Sequence, residues 1–154
     1  MRMTLYTDYA MRMLIMLGAK NGEPVTVQQV ADAYGLSRNH LLKVARKLRQ
    51  MGVIDATRGR TGGVQLAKQP SDINIGMIVR ATEDDLALVE CMKEGGSCLL
   101  SPSCRLRGIV REALDAYLAV FDKYSLADLI QNKNMLGLLL GMEQPRGNAL
   151  RPAE

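Results

Sequence analysis

Two short amphipathic segments separated by Tyr34-Gly35-Leu36 constrain this chain more than any other feature in it. The first, Val27 to Ala33, follows Thr26, a residue suited to capping a helix N-terminus. Ser37 opens the second in the same role, and Gly35 between them suits the left-handed backbone of a tight turn. In the second segment Leu41, Val44, Ala45, Leu48 and Met51 fall on one stripe. Arg38, Asn39, Lys43, Arg46, Lys47 and Arg49 fill the remaining faces. Two helices of this length joined by a Gly-containing turn, with the second strongly basic, match a helix-turn-helix, whose second helix enters the major groove of DNA. Ser37, Arg38, Asn39 and His40 then lead into the groove. Arg and Asn make paired hydrogen bonds to base edges, whereas Lys43 and Lys47 suit phosphates as point charges.

The flanking segments agree with that motif. Met11, Leu14, Ile15 and Gly18 recur at helical spacing between Thr7, the expected N-cap, and an Asn21-Gly22 stop, which predicts a first helix with one buried face. After Gly52, the β-prone runs Val53 to Thr57 and Val64 to Leu66 enclose Arg58-Gly59-Arg60-Thr61-Gly62-Gly63, a hairpin placed where a wing would lie. Arg58 and Arg60 at its Gly-rich tip can approach phosphates or enter a narrow minor groove. Charge follows the same division: residues 1 to 70 hold 11 Lys and Arg against 4 Asp and Glu, while residues 71 to 154 hold 9 against 12. The basic excess of the first half favours a polyanionic partner, here double-stranded DNA.

A chain of 154 residues can bury one core without disulfides. The apolar stretch Ala10 to Ala19 is preceded by Asp8, interrupted by Arg12 and followed by no cleavage site, so it reads as a core helix rather than a signal peptide. No run approaches the roughly 18 apolar residues of a membrane span. Three cysteines without a secretion signal argue against a disulfide framework and predict a reducing cytoplasm. No Ser/His/Asp, Cys/His or phosphate-loop constellation is present, so no enzyme activity is expected.

Those cysteines, Cys91, Cys98 and Cys104, are spaced C-x6-C-x5-C in a segment that also carries Gly95, Gly96, Ser97 and Pro102. Such a loop can fold three thiolates onto one centre. Soft thiolates favour an iron–sulfur cluster, zinc or copper(I), with one position left for a different ligand. Zinc commonly takes three Cys and one His, but His40, the sole histidine, lies on the DNA-reading segment. A cluster would therefore take an oxygen donor as its fourth ligand. A zinc site or a metal-free thiol switch remains the alternative. Beyond Cys104, Leu106, Val110, Ala113, Tyr117, Val120 and Tyr124 alternate steps of four and three, widened by Ile109, Leu114, Leu118 and Phe121. This predicts a long dimerisation helix, and a two-fold dimer predicts an inverted-repeat operator with half-sites about 34 Å apart.

Taken together, the Thr7-Asp8-Tyr9-Ala10 opening, Leu36-Ser37 with Leu41-Leu42, the Gly59 to Gly63 wing and the cysteine triplet resemble the iron–sulfur winged-helix transcriptional regulators over roughly residues 1 to 135. Leu88-Val89-Glu90-Cys91 and the run from Cys104-Arg105-Leu106 through Ser125-Leu126-Ala127-Asp128-Leu129 look most like the nitric-oxide-sensing repressor branch. In that branch a carboxylate near the start of the first helix, supplied by the other subunit, is a known type of fourth ligand, and Asp8 stands at the matching position. The resemblance thus implies Cys91, Cys98, Cys104 and Asp8 as ligands, a four-iron (4Fe-4S) cluster in preference to a two-iron (2Fe-2S) one, and nitric oxide as signal. Dipole stabilisation of Asp8 in a first helical turn, or an oxygen ligand from Glu90 or solvent, stays open. Related regulators that report cluster supply or redox status share these residues; those that sense cluster assembly use a histidine after the third cysteine, absent here. The expected chain is mainly α. It has a winged helix-turn-helix domain with a two-stranded β wing over 1–80, a cysteine-rich loop over 81–104, a dimerisation helix with a following short helix over 105–135, and a disordered tail over 142–154.

Overall fold

The core forms around the first helix, α1 (Leu5–Ala19), whose Ala10, Met13, Leu14 and Leu17 are fully enclosed. The computed structural model describes residues 2–57, 62–93, 95–100 and 103–141; Arg58, Arg60 and the expected tail over 142–154 lie outside them. Helix α1 begins a turn earlier than the sequence suggests. Thr4, not Thr7, is its N-cap: the Thr4 hydroxyl accepts from the Thr7 backbone N–H at 3.3 Å. The Glu83 carboxylate accepts from the Thr4 N–H at 2.9 Å and lies 3.2 Å from its hydroxyl. Thr7 is buried instead. Asp8 nevertheless stays within the first turn.

Helix α2 (Val27–Tyr34) carries a reciprocal capping box between Thr26 and Gln29 and ends at Gly35 in the left-handed conformation, φ 64°. Helix α3 (Arg38–Gln50) follows at once, with Leu41, Val44, Ala45 and Leu48 buried against α1 and α2. Strands β1 (Ile54–Thr57) and β2 (Gly63–Leu66) pair antiparallel from Ile54 opposite Leu66 to Thr57 opposite Gly63. Val25 and Val64 exchange backbone hydrogen bonds of 2.9 and 2.8 Å, so the second wing strand is also fastened to the segment before α2.

Asn74 caps α4 (Ile75–Thr82), which lies between α1 and the long α5 (Arg105–Asp122). Arg80 reaches across to Asp122 in a two-pronged ion pair, with Nη2 to Oδ2 at 2.8 Å. That pairing holds the Asp122 carboxyl below its ordinary range. Short helices α6 (Leu126–Leu129) and α7 (Lys133–Leu139) return the chain to α1, with Leu126 and Ile130 in the core. The architecture is thus mainly helical with a two-stranded antiparallel wing. No helix among the described residues is long and apolar enough to cross a membrane.

The broad stripe on α5 divides into two halves. Leu114 and Leu118 are buried, and Tyr117 and Phe121 meet edge to face at 5.0 Å against the same core. Leu106, Ile109 and Val120, on the adjoining side, are exposed.

Candidate nucleic-acid interface and metal centre

Burying one stripe of α3 forces its other residues outward. Ser37, Arg38, Asn39, His40 and Lys43 are exposed and Lys47 is half-buried. Ser37 is the N-cap by position, yet its side chain makes no capping hydrogen bond. Arg46 and Arg49 share the exposed side. A basic, polar helix surface continuous from its N-terminus can lie in a groove with short side chains at its leading end and cations farther along. The wing strands reach Thr57 on one side and Gly63 on the other, so the expected tip residues Arg58 and Arg60 fall between described positions.

The start of α1 is tied to this surface. The Tyr6 hydroxyl donates to the Lys43 carbonyl at 3.1 Å, and the Tyr9 ring lies 6.4 Å from the His40 imidazole, centre to centre. Burial, with the charge of Asp84, raises the Tyr6 pKa, so the phenol is a donor at neutral pH. Asp8, between these two tyrosines in sequence, forms an ion pair of 2.9 Å with Arg12 one turn on. The Arg12 guanidinium sits 5.7 Å from the centre of the Tyr34 ring, whose hydroxyl donates to the Arg12 carbonyl at 3.1 Å. Burial raises the Tyr34 pKa, with Asp8 adding to the rise and Arg12 opposing it. Through Tyr6, Tyr9 and Tyr34, α1 therefore touches both helices of the reading motif. In the sequence Arg12 stands out only as a charge interrupting an apolar run. Its i,i+4 spacing from Asp8 was the signal that could have revealed the pair.

The cysteine loop begins near Glu83, which accepts from the α1 cap residue Thr4, and ends at α5. Cys91 lies in a single 3-10 turn, Glu90–Met92, and Cys104 is the residue before α5. All three cysteines are free thiols of intermediate exposure. The loop is gathered by its own backbone: a Cβ at Gly96 would stand 2.3 Å from the Glu90 carbonyl oxygen, so only glycine permits the approach. The Ser97 hydroxyl donates to the Glu90 carboxylate at 3.1 Å across the same closure, occupying one oxygen of the residue that could otherwise supply an alternative ligand. Lys93 pairs with Asp85 at 3.2 Å on the loop's outer side. Among the described residues no three His, Cys, Asp or Glu side chains stand together as a metal site. The donor set still fits a soft metal centre: three free, accessible thiols in one loop closed at Gly96. One chain neither draws the three thiols onto a single centre nor brings Asp8 to them, since Asp8 pairs with Arg12 on α1.

Residues 3–132 match the model of the Rrf2 family, described as iron-dependent transcriptional regulators. The chain is 48% identical over 146 residues to the HTH-type transcriptional regulator NsrR of Bacillus subtilis, covering 94% of this chain and 100% of that protein. It is 47% identical over 142 residues to the NsrR regulator of Shouchella clausii, covering 91% and 95%. Among solved structures, CymR, the global cysteine regulator of B. subtilis, superposes with a TM-score of 0.68 at 26% identity, over 85% of this chain and 97% of that one.

Proposed function

Because this chain belongs to the Rrf2 family, in the branch of the NsrR regulators, we propose that it is a homodimeric repressor that releases operator DNA when nitric oxide attacks a labile iron–sulfur cluster. It is a DNA-binding transcriptional regulator and not an enzyme. The protein acts in the cytoplasm. Its DNA contacts are Ser37, Arg38, Asn39, His40, Lys43 and Lys47, with Arg58 and Arg60 at the wing. Cys91, Cys98 and Cys104 of one protomer and Asp8 of the other are the ligands, on a four-iron cluster in preference to a two-iron one.

The observation that carries the proposal is that α1 bears Asp8 on the same turn as two tyrosines that engage the reading helix. When bound, the cluster supplies an iron site that nitric oxide can attack. The rest is done by the chain's own groups. The Asp8–Arg12 pair has both side chains roughly 40% exposed, at 37% and 41%. Such pairs are worth about 0.3–0.5 kcal/mol, far too little to hold Asp8 back from a metal. While Asp8 is engaged across the dimer, the start of α1 is fixed relative to the partner, and Tyr6 and Tyr9 fix α3 with it. Once Asp8 is released, Arg12 recovers it, and α1 with the reading motif packed on it is free to shift relative to the partner. The two reading helices then lose the spacing that an inverted repeat demands; a change of a few kcal/mol suffices to reverse occupancy.

The test is the visible absorption of anaerobically purified protein, with iron and sulfide assays, before and after stoichiometric nitric oxide. A brown protein bleached by nitric oxide is the expected result. A protein colourless even after reconstitution with iron and sulfide would overturn the cluster and leave a zinc or thiol switch on the same DNA-binding frame.

A further inference from the structure

Leu99 and Leu100, immediately after Cys98, are 96% and 70% exposed, and Leu99 is the most exposed large apolar side chain described. At the other end of α5 is an open apolar groove of about 270 Å³ lined by Met3, Met11, Ile75, Val120, Tyr124 and Leu129, with Phe121 at its side. We propose that the Leu99–Leu100 pair of one protomer seats in this groove of a second copy of the chain. The inference deepens the dimer reading above and rests on it, but does not need a cluster to be present.

Within one chain the two features stand apart. Cys104 precedes α5 and Val120 lies sixteen residues on, about 24 Å along the axis at 1.5 Å per residue. The exposed side of α5 shows how a second copy closes the gap. Leu106, Ile109, Ala113, Ala116 and Val120, in alternating steps of three and four, form an exposed apolar stripe, and Leu106 and Val120 each stand seven residues from Ala113. A two-fold axis through Ala113, perpendicular to the helix, runs the partner's α5 antiparallel and sets Leu106 opposite Val120. Alanine at the crossing lets the helices approach closely. The same operation carries the Cys104 end of one α5 beside the Tyr124 end of the other. It thereby sets the loop's leucines over the partner's groove. Val120 belongs to both the stripe and the groove, so the seat is continuous with the helix–helix contact. Met11 is an i+3 neighbour of Asp8 on α1, so a leucine seated against Met11 also delivers the cysteine loop to the partner's Asp8.

The experiment places a benzophenone amino acid at position 99 of the full chain, in dimers formed from equal amounts of isotopically heavy and light protein. After irradiation, cross-linked peptides are mapped by mass spectrometry while sedimentation reports the oligomeric state. Cross-links joining heavy and light chains at Met3 or Met11 are expected. A dimer by sedimentation that cross-links elsewhere, only within one chain, or not at all overturns the seat while leaving the dimer. A monomer overturns the dimer reading itself. In parallel, Leu99→Ser with Leu100→Ser weakens dimerisation on the order of a hundredfold. Leu138→Ser with Leu139→Ser, at a pair exposed 71% and 73%, leaves it unchanged. Equal effects of the two double variants would refute the seat.

Discussion

Leu41 and Leu42 are neighbours on α3 with opposite surroundings: the first is fully enclosed, the second 41% exposed. Their alanine variants measure how the reading helix is set on the core, since leucine and alanine are both strong helix formers. Truncating Leu41 forfeits about 2–3 kcal/mol of burial and leaves a cavity among Val44, Leu48 and the α1 side chains, for about 3–4 kcal/mol in all. Truncating Leu42 removes roughly half a leucine's burial and encloses no void, for about 1 kcal/mol. The difference of about 2–3 kcal/mol corresponds to melting temperatures separated by roughly 6–10 °C in a chain of this size. Urea unfolding followed by circular dichroism resolves it as a shift in midpoint at constant m. Equal costs, or a larger one at Leu42, would refute the orientation of α3. A slip of one residue turns a helix by about 100° and would carry Asn39 and Lys43 away from the face assigned to DNA.

Three further outcomes are expected. Asn39→Ala relaxes base preference at one operator position at a cost of about 1–3 kcal/mol, whereas Lys43→Ala weakens all sequences alike and lowers the salt slope by about 1, as anisotropy titrations over a salt series would show. Gly96→Ala forces its new methyl onto the Glu90 carbonyl at 2.3 Å; iron and sulfide per chain fall in the reconstituted protein while its melting temperature barely moves. Asp122 has a folded pKa below its unfolded value because of its hydrogen bonds with Arg80. Its stabilisation is therefore present above the unfolded carboxylate range and lost as pH falls through the folded pKa. The deficit of Asp122→Asn at pH 7 should close below about pH 4 in acid-unfolding curves.

The reading motif was legible in the sequence because its determinants are local. The Thr26–Gln29 box, the left-handed Gly35 and the buried stripe of α3 all act within one or two turns. The wing strands were legible for the same reason, as β-prone runs flanking a Gly-rich turn. The start of α1 was not, because Thr4 owes its place as the cap partly to Glu83, 79 residues away. Helix α4 escaped notice because eight residues with Ile75, Ile78 and Val79 inward are too short to separate a helical from an extended pattern. On α5 periodicity showed one wide stripe, and only the packing of Leu114 and Leu118 divides it into an inward and an outward half. The candidate site shows the same limit. Cysteine spacing announced a thiol loop, but the contacts joining Asp8, Arg12, Tyr34 and the reading helix arise where separate helices meet.

If the proposed function holds, the state of the cysteine loop governs DNA binding. Fluorescence anisotropy with inverted-repeat operator DNA and the anaerobic protein tests it most directly, comparing cluster-loaded, nitric-oxide-treated and cluster-free forms at one salt concentration. Tight binding by the loaded form and at least a tenfold loss in the other two, about 1.4 kcal/mol or more, are expected. Equal affinity of all three would contradict it.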